Sequence, residues 1–592
     1  MTGYWQRTLA RRYTRRQILR GAAVAAGAAL GVLACRAEQP RPEGETTIKP
    51  GEIPFAWQLP DETPGAVPGG MIRFFYTNDI TGGFDPYTTS SRSATLFLAG
   101  LAYEPLLQLR TGPGIDTSRI ENRVYEGRLA ERWEWVDPTT IVFKMRRGVY
   151  FHNIPPVNGR EMDIDDWRVT IQRLQASPYR VTLQTIADLN RVEFPDSQTM
   201  VIRLNHPYAP GPFIFSTGVA SFWVMPKEAA DRMDPNTQVI GTNFRQLEYY
   251  QPSVTLRFKR HERYWLQGRP FLNRWDYPII TEKANRVAQF IAGNIHWYQP
   301  LPEDLLQLRK DVPNAVVYRA ETQGVLPISF FGYRDLATAP WRDERVRQAI
   351  SMVIDRRARF EYFRNHQELL ANGIDQRLRY HTHFWAGSVF WLDWTTGALG
   401  EESRFFQYDL AEARRLLEAA GYPNGVDIDT WWHTGPNYGA QYVESAQIFN
   451  DMLQRSGLFR VRPHPITYQE YLTTVWQKRD FSGLALVLPW TGVDDDFDAG
   501  LYAMFHRKSG DLFRGLPDDQ LEAMLDRQRA ELDVGRRTQL MHELQRYLAR
   551  KMYVIPTEGV YDVFNFVHPW VRNIGWPQHS WWLAPDAPNR EG

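Results

Sequence analysis

Cysteine is almost absent: the chain has 592 residues and one of them, Cys35, is a cysteine. An internal disulfide is therefore impossible, and stability must come from packing. Neither sign of charge is in surplus, with 69 basic and 68 acidic residues. That excludes the broad basic field of a nucleic-acid-binding or anionic-surface protein. Long apolar runs are lacking at the N-terminus, where Gly21 to Ala34 stops at 14 residues, short of the roughly 20 needed to span a bilayer. Motifs of common catalysis are missing too. The sequence shows no Gly-x-Ser-x-Gly elbow, no phosphate loop ending in Gly-Lys-Ser/Thr and no Gly-x-Gly-x-x-Gly turn. His542-Glu543 opens like a zinc-protease helix, but Arg546 stands where the second imidazole must be. His381 and His383 have no acidic partner near them in sequence and read as a loop rather than as a metal pair.

The N-terminus carries the strongest positive signal. Six arginines and no acid precede the apolar run, and Arg15-Arg16 within Thr14 to Arg20 resemble a twin-arginine export signal. Leu33-Ala34 before Cys35 resemble a lipobox, in which the thiol is lipidated and becomes the new N-terminus. Residues 1–35 thus read as a lipoprotein signal. The chain is then expected to be exported and lipid-anchored to the outer face of the cytoplasmic membrane. Without the six arginines the balance is 63 basic against 68 acidic residues, near −5. Residues 36–68 are rich in Pro, Glu, Gly and Thr, a composition that builds no core and predicts a disordered tether.

From Gly69 onward strand and helix patterns mix, which places the body in the α/β or α+β class. Ile141, Phe143 and Met145 alternate as a half-buried strand, with a hairpin expected through Arg147-Gly148 to Val149–Phe151. Asp165-Asp166 opens a helix through Leu174. Asp343 precedes an apolar stripe of Val346, Ala349, Ile350 and Val353. Asp409 with Glu412 forms a capping box ahead of a helix stopped by Gly421. The 21 Trp, 28 Tyr and 31 Phe are mostly core material, with a surplus that would suit a cavity gripping a ligand by stacking.

Four segments in order resemble one family, the extracytoplasmic solute-binding proteins of ABC importers in the large peptide, dipeptide and nickel class (family 5). They are Tyr103-Glu104-Pro105-Leu106-Leu107 after Phe84-Asp85-Pro86; Leu129 to Trp133 followed by Phe143 to His152; Ile240-Gly241-Thr242 with Tyr264-Trp265, Gly268 to Leu272 and Ala292 to Ile295; and Asp343 to Ile350 with Ile354-Asp355-Arg356 and Glu412 to Pro423. The resemblance implies a two-lobed, type II-like periplasmic-binding-protein fold with an inserted third α+β domain. On that basis the first lobe comprises 69–105, 198–318 and 554–592, the insertion 106–197 and the second lobe 319–553.

The same resemblance implies a solute, an oligopeptide by default, and an ABC permease as partners. It implies a monomer that touches the membrane through its lipid anchor alone and uses no cofactor, metal or nucleic acid. Relatives carry an Asp three residues after a Trp for the peptide amine. Here Val493 stands at that spacing from Trp490, so Asp494 and Asp495 are the candidates after a one-residue shift. An Arg that some peptide binders place before that Trp is Val487 here. Trp490 is expected at the end of an apolar strand and Tyr468 as a stacking wall. Of Trp431 and Trp432, alternation lets one face the cleft, and Trp432 is favoured. Asn78, Asp79 and Phe84 are expected on the first-lobe wall. The alternatives are an oligosaccharide binder, an extracellular hydrolase with a cryptic site, and a chaperone or signalling receptor on the same fold.

Overall fold

Pairing of strands sorts this chain into two lobes. The computed structural model describes residues 52–591 apart from 81–82, 89–97, 179–182, 184–185, 217–221, 322–324, 440, 491–495, 510–512 and 514. The first lobe starts with β1 (Met71–Arg73) and is left at once for an inserted unit. There β2 (Leu107–Leu109) pairs with β3 (Tyr125–Gly127). Next, β4 (Ala130–Asp137), β5 (Thr140–Met145), β6 (Glu193–Asp196) and β7 (Thr199–Arg203) form an antiparallel sheet in the order β4-β5-β7-β6. Ile141, Phe143 and Met145 are buried while Lys144 is exposed, as their alternation predicts. The hairpin expected after β5 does not form. Both edges of β5 are already taken by β4 and β7, and Tyr150 bridges Glu161 instead. Helix Ile164–Ala176 begins at a capping box in which Asp163 accepts from the Asp165 amide and Asp166 accepts from the Asp163 amide.

The chain returns to the first lobe through β8 (Arg245–Gln251), β9 (Thr255–Arg260) and β10 (Arg274–Pro278), which close on β1 in the order β1-β10-β9-β8. This sheet and the inserted unit share one core, with Ile72, Leu106, Phe143, Trp167, Phe258 and Trp275 all buried. At the seam sits Glu104, 0% exposed. Its carboxylate accepts from Arg128 Nε at 2.8 Å, Thr242 Oγ1 at 2.8 Å, Tyr264 hydroxyl at 2.9 Å and Trp265 Nε1 at 3.2 Å. Three of the four segments that carry the family resemblance therefore meet at or beside one buried carboxylate. Gly241 is held against the chain at the same seam: a Cβ there would lie 2.0 Å from the Ala102 carbonyl oxygen. His152 donates its amide to Gly241 O at 2.8 Å and accepts from the Gly241 amide at Nδ1, leaving Nε2–H for the Asn243 carbonyl at 2.8 Å. Burial pushes His152 down to about 3, so it is a neutral structural imidazole.

β11 (Trp297–Tyr298) and β12 (Val316–Glu321) complete the first lobe's second sheet. The chain then crosses to β13 (Leu326–Phe331) of the second lobe. The lobe adds β14 (Leu378–Tyr380), β15 (Val426–His433), β16 (Phe459–Ile466), β17 (Leu484–Trp490) and β18 (Val554–Pro556), and the chain crosses back into β19 (Gly559–Val567). The second-lobe sheet has the order β16-β15-β17-β13-β18; β19 lies between β11 and β12, and β14 pairs with its start. The strands that flank the two crossings are antiparallel neighbours, β12 with β19 and β13 with β18. Asp562, 1% exposed, anchors the first-lobe end of the return crossing through Arg319 at 3.0 Å and Arg377 Nε at 3.1 Å. Glu558, within that crossing, is held from the second lobe by Arg359 at 3.3 Å and Ser445 Oγ at 3.2 Å.

Both faces of the second-lobe sheet are covered, which is why β17 reads as an unbroken apolar run. Leu484 packs with Val346, Ile350, Leu417 and Ile428 on one face. Ala485, Leu488 and Trp490 pack with Leu544 and Leu548 on the other. The switch of face is a bulge at Val487, whose φ is +53° and whose amide donates to Ser329 Oγ at 2.9 Å. Asp343 and Asp409 cap helices Glu344–Met352 and Leu410–Ala419 as their patterns predict.

Residues 52–68 depart from the expected tether. Phe55 stacks near Trp57 and under Arg377, Ile53 O accepts from Arg319 Nε at 2.7 Å, and Glu62 pairs with Arg572 at 3.1 Å. Their few aromatic and aliphatic side chains are enough to dock them on the first lobe. Close by, the Met71 amide donates to Arg590 O at 2.7 Å, so the C-terminal segment lies on that lobe too.

Breaking the Glu104 hub tests the seam. Glu104→Gln leaves Arg128 uncompensated beside a buried wall and is expected to destabilise by about 3–5 kcal/mol. The exposed neighbour Glu131→Gln should change stability by less than about 0.5 kcal/mol. Urea denaturation of both variants checks this, and equal effects would contradict the role given to Glu104.

Candidate functional site

β15, β16 and β17 run parallel to one another and end at one edge of the second lobe. Open α/β sheets place ligands outside the carboxyl ends of their strands. His433, the last residue of β15, is 0% exposed. Around it stand Tyr438, Tyr442, Tyr468 and Tyr471, with ring centroids at 4.6, 4.3, 4.9 and 5.3 Å. Burial pushes His433 down to about 4, so it is neutral at physiological pH, and burial also raises the Tyr438 and Tyr442 hydroxyls. The five side chains of this group are thus aromatic rings without fixed charge. Tyr468 begins a helical turn that continues as a π-helix over Tyr471–Gln477, a wide-pitch element frequent at functional sites. Its far end brings Trp476 to 6.3 Å from Trp490, and Phe513 stands edge-on to Trp490 at 5.4 Å. Arg479, at φ +56°, lays its guanidinium over Phe330, Trp476 and Phe513 at 4.5, 4.6 and 4.1 Å.

The structure brings Tyr468 and Trp490 to this edge and sends Trp432 elsewhere. Val426, Ile428, Thr430 and Trp432 share the face of β15 that is covered by helices, and Trp432 is 5% exposed within that core. Trp431 takes the other face, stacks on His464 at 4.2 Å and donates Nε1 to Ser482 O at 2.8 Å. The first-lobe residues form a separate cluster around Tyr250. Asp79 accepts from the Tyr250 hydroxyl at 2.9 Å and from the Ser253 amide at 2.6 Å, so it braces the β8–β9 turn, and these bonds hold its carboxyl below the usual range. Phe84 meets Tyr250 edge-on at 5.9 Å, and exposed Asn78 bonds Thr77 Oγ1 at 3.0 Å. Asp494, Asp495, Cys35, Arg15 and Arg16 lie outside the described residues.

The acids that follow are already engaged. Asp496 accepts from Arg537 Nη1 at 2.6 Å. Asp498, 1% exposed, accepts from Arg529 Nη2 at 2.8 Å, Gln528 Nε2 at 2.5 Å and the Tyr208 hydroxyl at 3.0 Å. Tyr208 follows β7, and beside it the Ala209 amide donates to Arg529 O at 2.7 Å, so the two sides of the molecule touch here. A cavity of about 60 Å³ opens along this contact, lined among others by Arg123, Tyr125, Pro210, Phe390, Asp496 and Arg537. Sequence reasoning missed Tyr438, Tyr442, Tyr471, Trp476 and Arg479. The spacings Tyr438–Tyr442 and Tyr468–Tyr471, four and three residues apart, were the available signal, since such pairs share one helical face.

Two lobes joined by paired crossings, with aromatic strand ends at the edge of the second, define the bilobed type II periplasmic-binding-protein class, whose members capture solutes. This chain belongs to the bacterial extracellular solute-binding proteins, family 5, whose middle region matches residues 124–511. It is 25% identical over 526 residues to Di/tripeptide-binding protein 1 of Pseudomonas aeruginosa strain UCBPP-PA14, covering 83% of this chain and 89% of that one. Its fold is similar to that of HbpA2 from Haemophilus parasuis, with a TM-score of 0.68, 20% identity and coverage of 87% and 100% of the two chains. It is also similar to the ABC transporter-associated periplasmic binding protein DppA from Helicobacter pylori in complex with peptide STSA, with a TM-score of 0.65, 18% identity and coverage of 87% and 98%.

The neutral state of His433 has a pH signature. Its ordinary value of 6.5 falls to about 4 in the fold. As pH drops, the unfolded chain takes up this proton first. The stability associated with His433 is therefore complete above about pH 6.5 and lost progressively between 6.5 and 4. His433→Phe is expected to reduce the slope of unfolding free energy against pH in that window. A His433 titration near 6.5 by NMR in the folded protein would contradict it.

Proposed function

We propose that this protein is the membrane-anchored receptor of an ABC importer and that its solute is a short peptide. The observation that carries the peptide reading is the state of the acids after β17. A buried peptide amine needs a carboxylate, because an unpaired charge out of water costs several kcal/mol. Asp496 and Asp498 are each neutralised by an arginine. Asp494 and Asp495, between Trp490 and Asp496 in sequence, are the acids left for the amine. Tyr468 would then flank the backbone of the solute, with Asn78 and Phe84 on the first-lobe side. The printed ligands of two relatives, di- or tripeptides and the peptide STSA, agree with this reading.

The oligosaccharide alternative needs open aromatic faces. Trp490 and Trp432, at 7% and 5% exposure, offer little ring surface, which favours the peptide. We place the lobe boundaries at the crossings, 322–325 and 557–558, a few residues beyond those implied by the resemblance. The inserted unit then extends to residue 203, because β7 pairs within its sheet. Export would follow the Arg15-Arg16 signal, and the anchor would be a lipid on Cys35.

Asp494→Asn or Asp495→Asn should weaken binding of a free-amine dipeptide by about two orders of magnitude or more, the cost of leaving a buried partner unpaired. Trp490→Ala should act more weakly. Titration calorimetry against free and N-acetylated peptides tests this, and equal binding of the two peptide forms would overturn the amine pairing. The anchor is tested separately. Cys35→Ala is expected to move the folded protein from the membrane to the soluble fraction, and unchanged membrane retention would remove the lipoprotein reading.

A further inference from the structure

A cavity of about 560 Å³ is lined by no second-lobe residue. It lies between the loop that follows Phe151 in the inserted unit and the outer face of the β8–β10 sheet. Register puts Gln246, Lys259 and Arg274 side by side on that face, because Gln246 pairs with Lys259 and Lys259 with Arg274. Arg260 and Arg263 line it from the end of β9, and Glu262 is the one acid in the lining. The charges do not cancel. Arg260 is matched by Glu262 at 2.8 Å, and Arg274 has Glu248 at 3.6 Å. Lys259 makes no ion pair. Arg263 lies over the Tyr150 ring at 3.3 Å and donates to the Gly159 carbonyl at 3.3 Å, with no carboxylate opposite it. A second observation points to a ligand rather than to a solvated face. Gln246 is 7% exposed, lines the cavity and forms no side-chain hydrogen bond. Its carboxamide atoms are not buried but open into the cavity, where they can bond what enters.

We infer that this cavity is a second binding site, separate from the solute site, for a phosphate ester on a hydroxylated ring, the chemistry of a sugar phosphate or an inositol-type lipid headgroup. Lys259 and Arg263 supply uncompensated positive charge for the phosphate, and a guanidinium suits its oxygens in particular. Gln246, Asn153, Asn158 and Asn273 carry both donors and acceptors, which matches hydroxyls that also do both. The volume lies within the range of small-ligand sites, roughly 300–1,000 Å³, and leaves room beyond a lone phosphate.

Calorimetric titration with glucose 6-phosphate, glucose and inorganic phosphate, at low and at physiological salt, tests the site, with phosphatidylinositol vesicles as a parallel arm. Glucose 6-phosphate should bind the wild type more tightly than glucose or phosphate does. Lys259→Ala combined with Arg263→Ala should weaken it by about tenfold or more, while Lys259→Arg should retain binding. Binding to the vesicles but not to the soluble ester would assign the headgroup as the source; the reverse would assign the free ester. Trp490→Ala should leave either form of binding unchanged, whatever the solute proves to be. Wild-type binding that is absent in both arms, or that survives the double substitution, would overturn the inference. So would loss of binding in Trp490→Ala.

Discussion

Arg128 reaching Glu104 is the contact on which the rest of the molecule depends. It ties the inserted unit to the first lobe through a carboxylate shared with Thr242, Tyr264 and Trp265, and the two parts bury a single apolar core. They therefore behave as one solid piece. The second lobe has its own sheet with cores on both faces. Between the pieces run the two crossings, and the return one is pinned at either end: Asp562 to the first lobe's Arg319, Glu558 to the second lobe's Arg359. Links this short are the arrangement expected where hinge motion is absorbed by element ends.

The edge of the second lobe follows a related economy of charge. Its aromatic residues surround a histidine that burial keeps neutral, while the acids nearest the seam are matched by arginines before any solute arrives. In the proposed site the described acids Asp496 and Asp498 are compensated, so an added carboxylate there would have a large effect on selectivity. The same contact zone holds Tyr208 against Asp498, which couples the packing of the seam to that of the strand ends.

Much of this was legible in the residues, for identifiable reasons. Side-chain caps at Asp343 and Asp409 state a local chemistry that needs no tertiary context. The unbroken apolar run of β17 announces a strand covered on both faces. The hairpin after β5 was misread because local turn signals compete with strands distant in sequence, and β4 and β7 had already taken the edges. Trp432 could not be oriented in advance, since which of two adjacent tryptophans faces the helices depends on register. The tryptophan surplus is largely core, with Trp167, Trp275 and Trp385 fully buried. The segments most characteristic of the family converge on Glu104 and Gly241, so they advertise the seam of the fold and say little about the solute.

The docking of residues 53–68 beside Arg590 has a mechanical side. Ile53 O and Glu62 are held by Arg319 and Arg572, and Arg590 lies against Met71 on the same lobe. The second lobe meets this segment at Arg377, whose guanidinium lies over Phe55. A pull along this segment would therefore be borne by the first-lobe core and by Arg377 together.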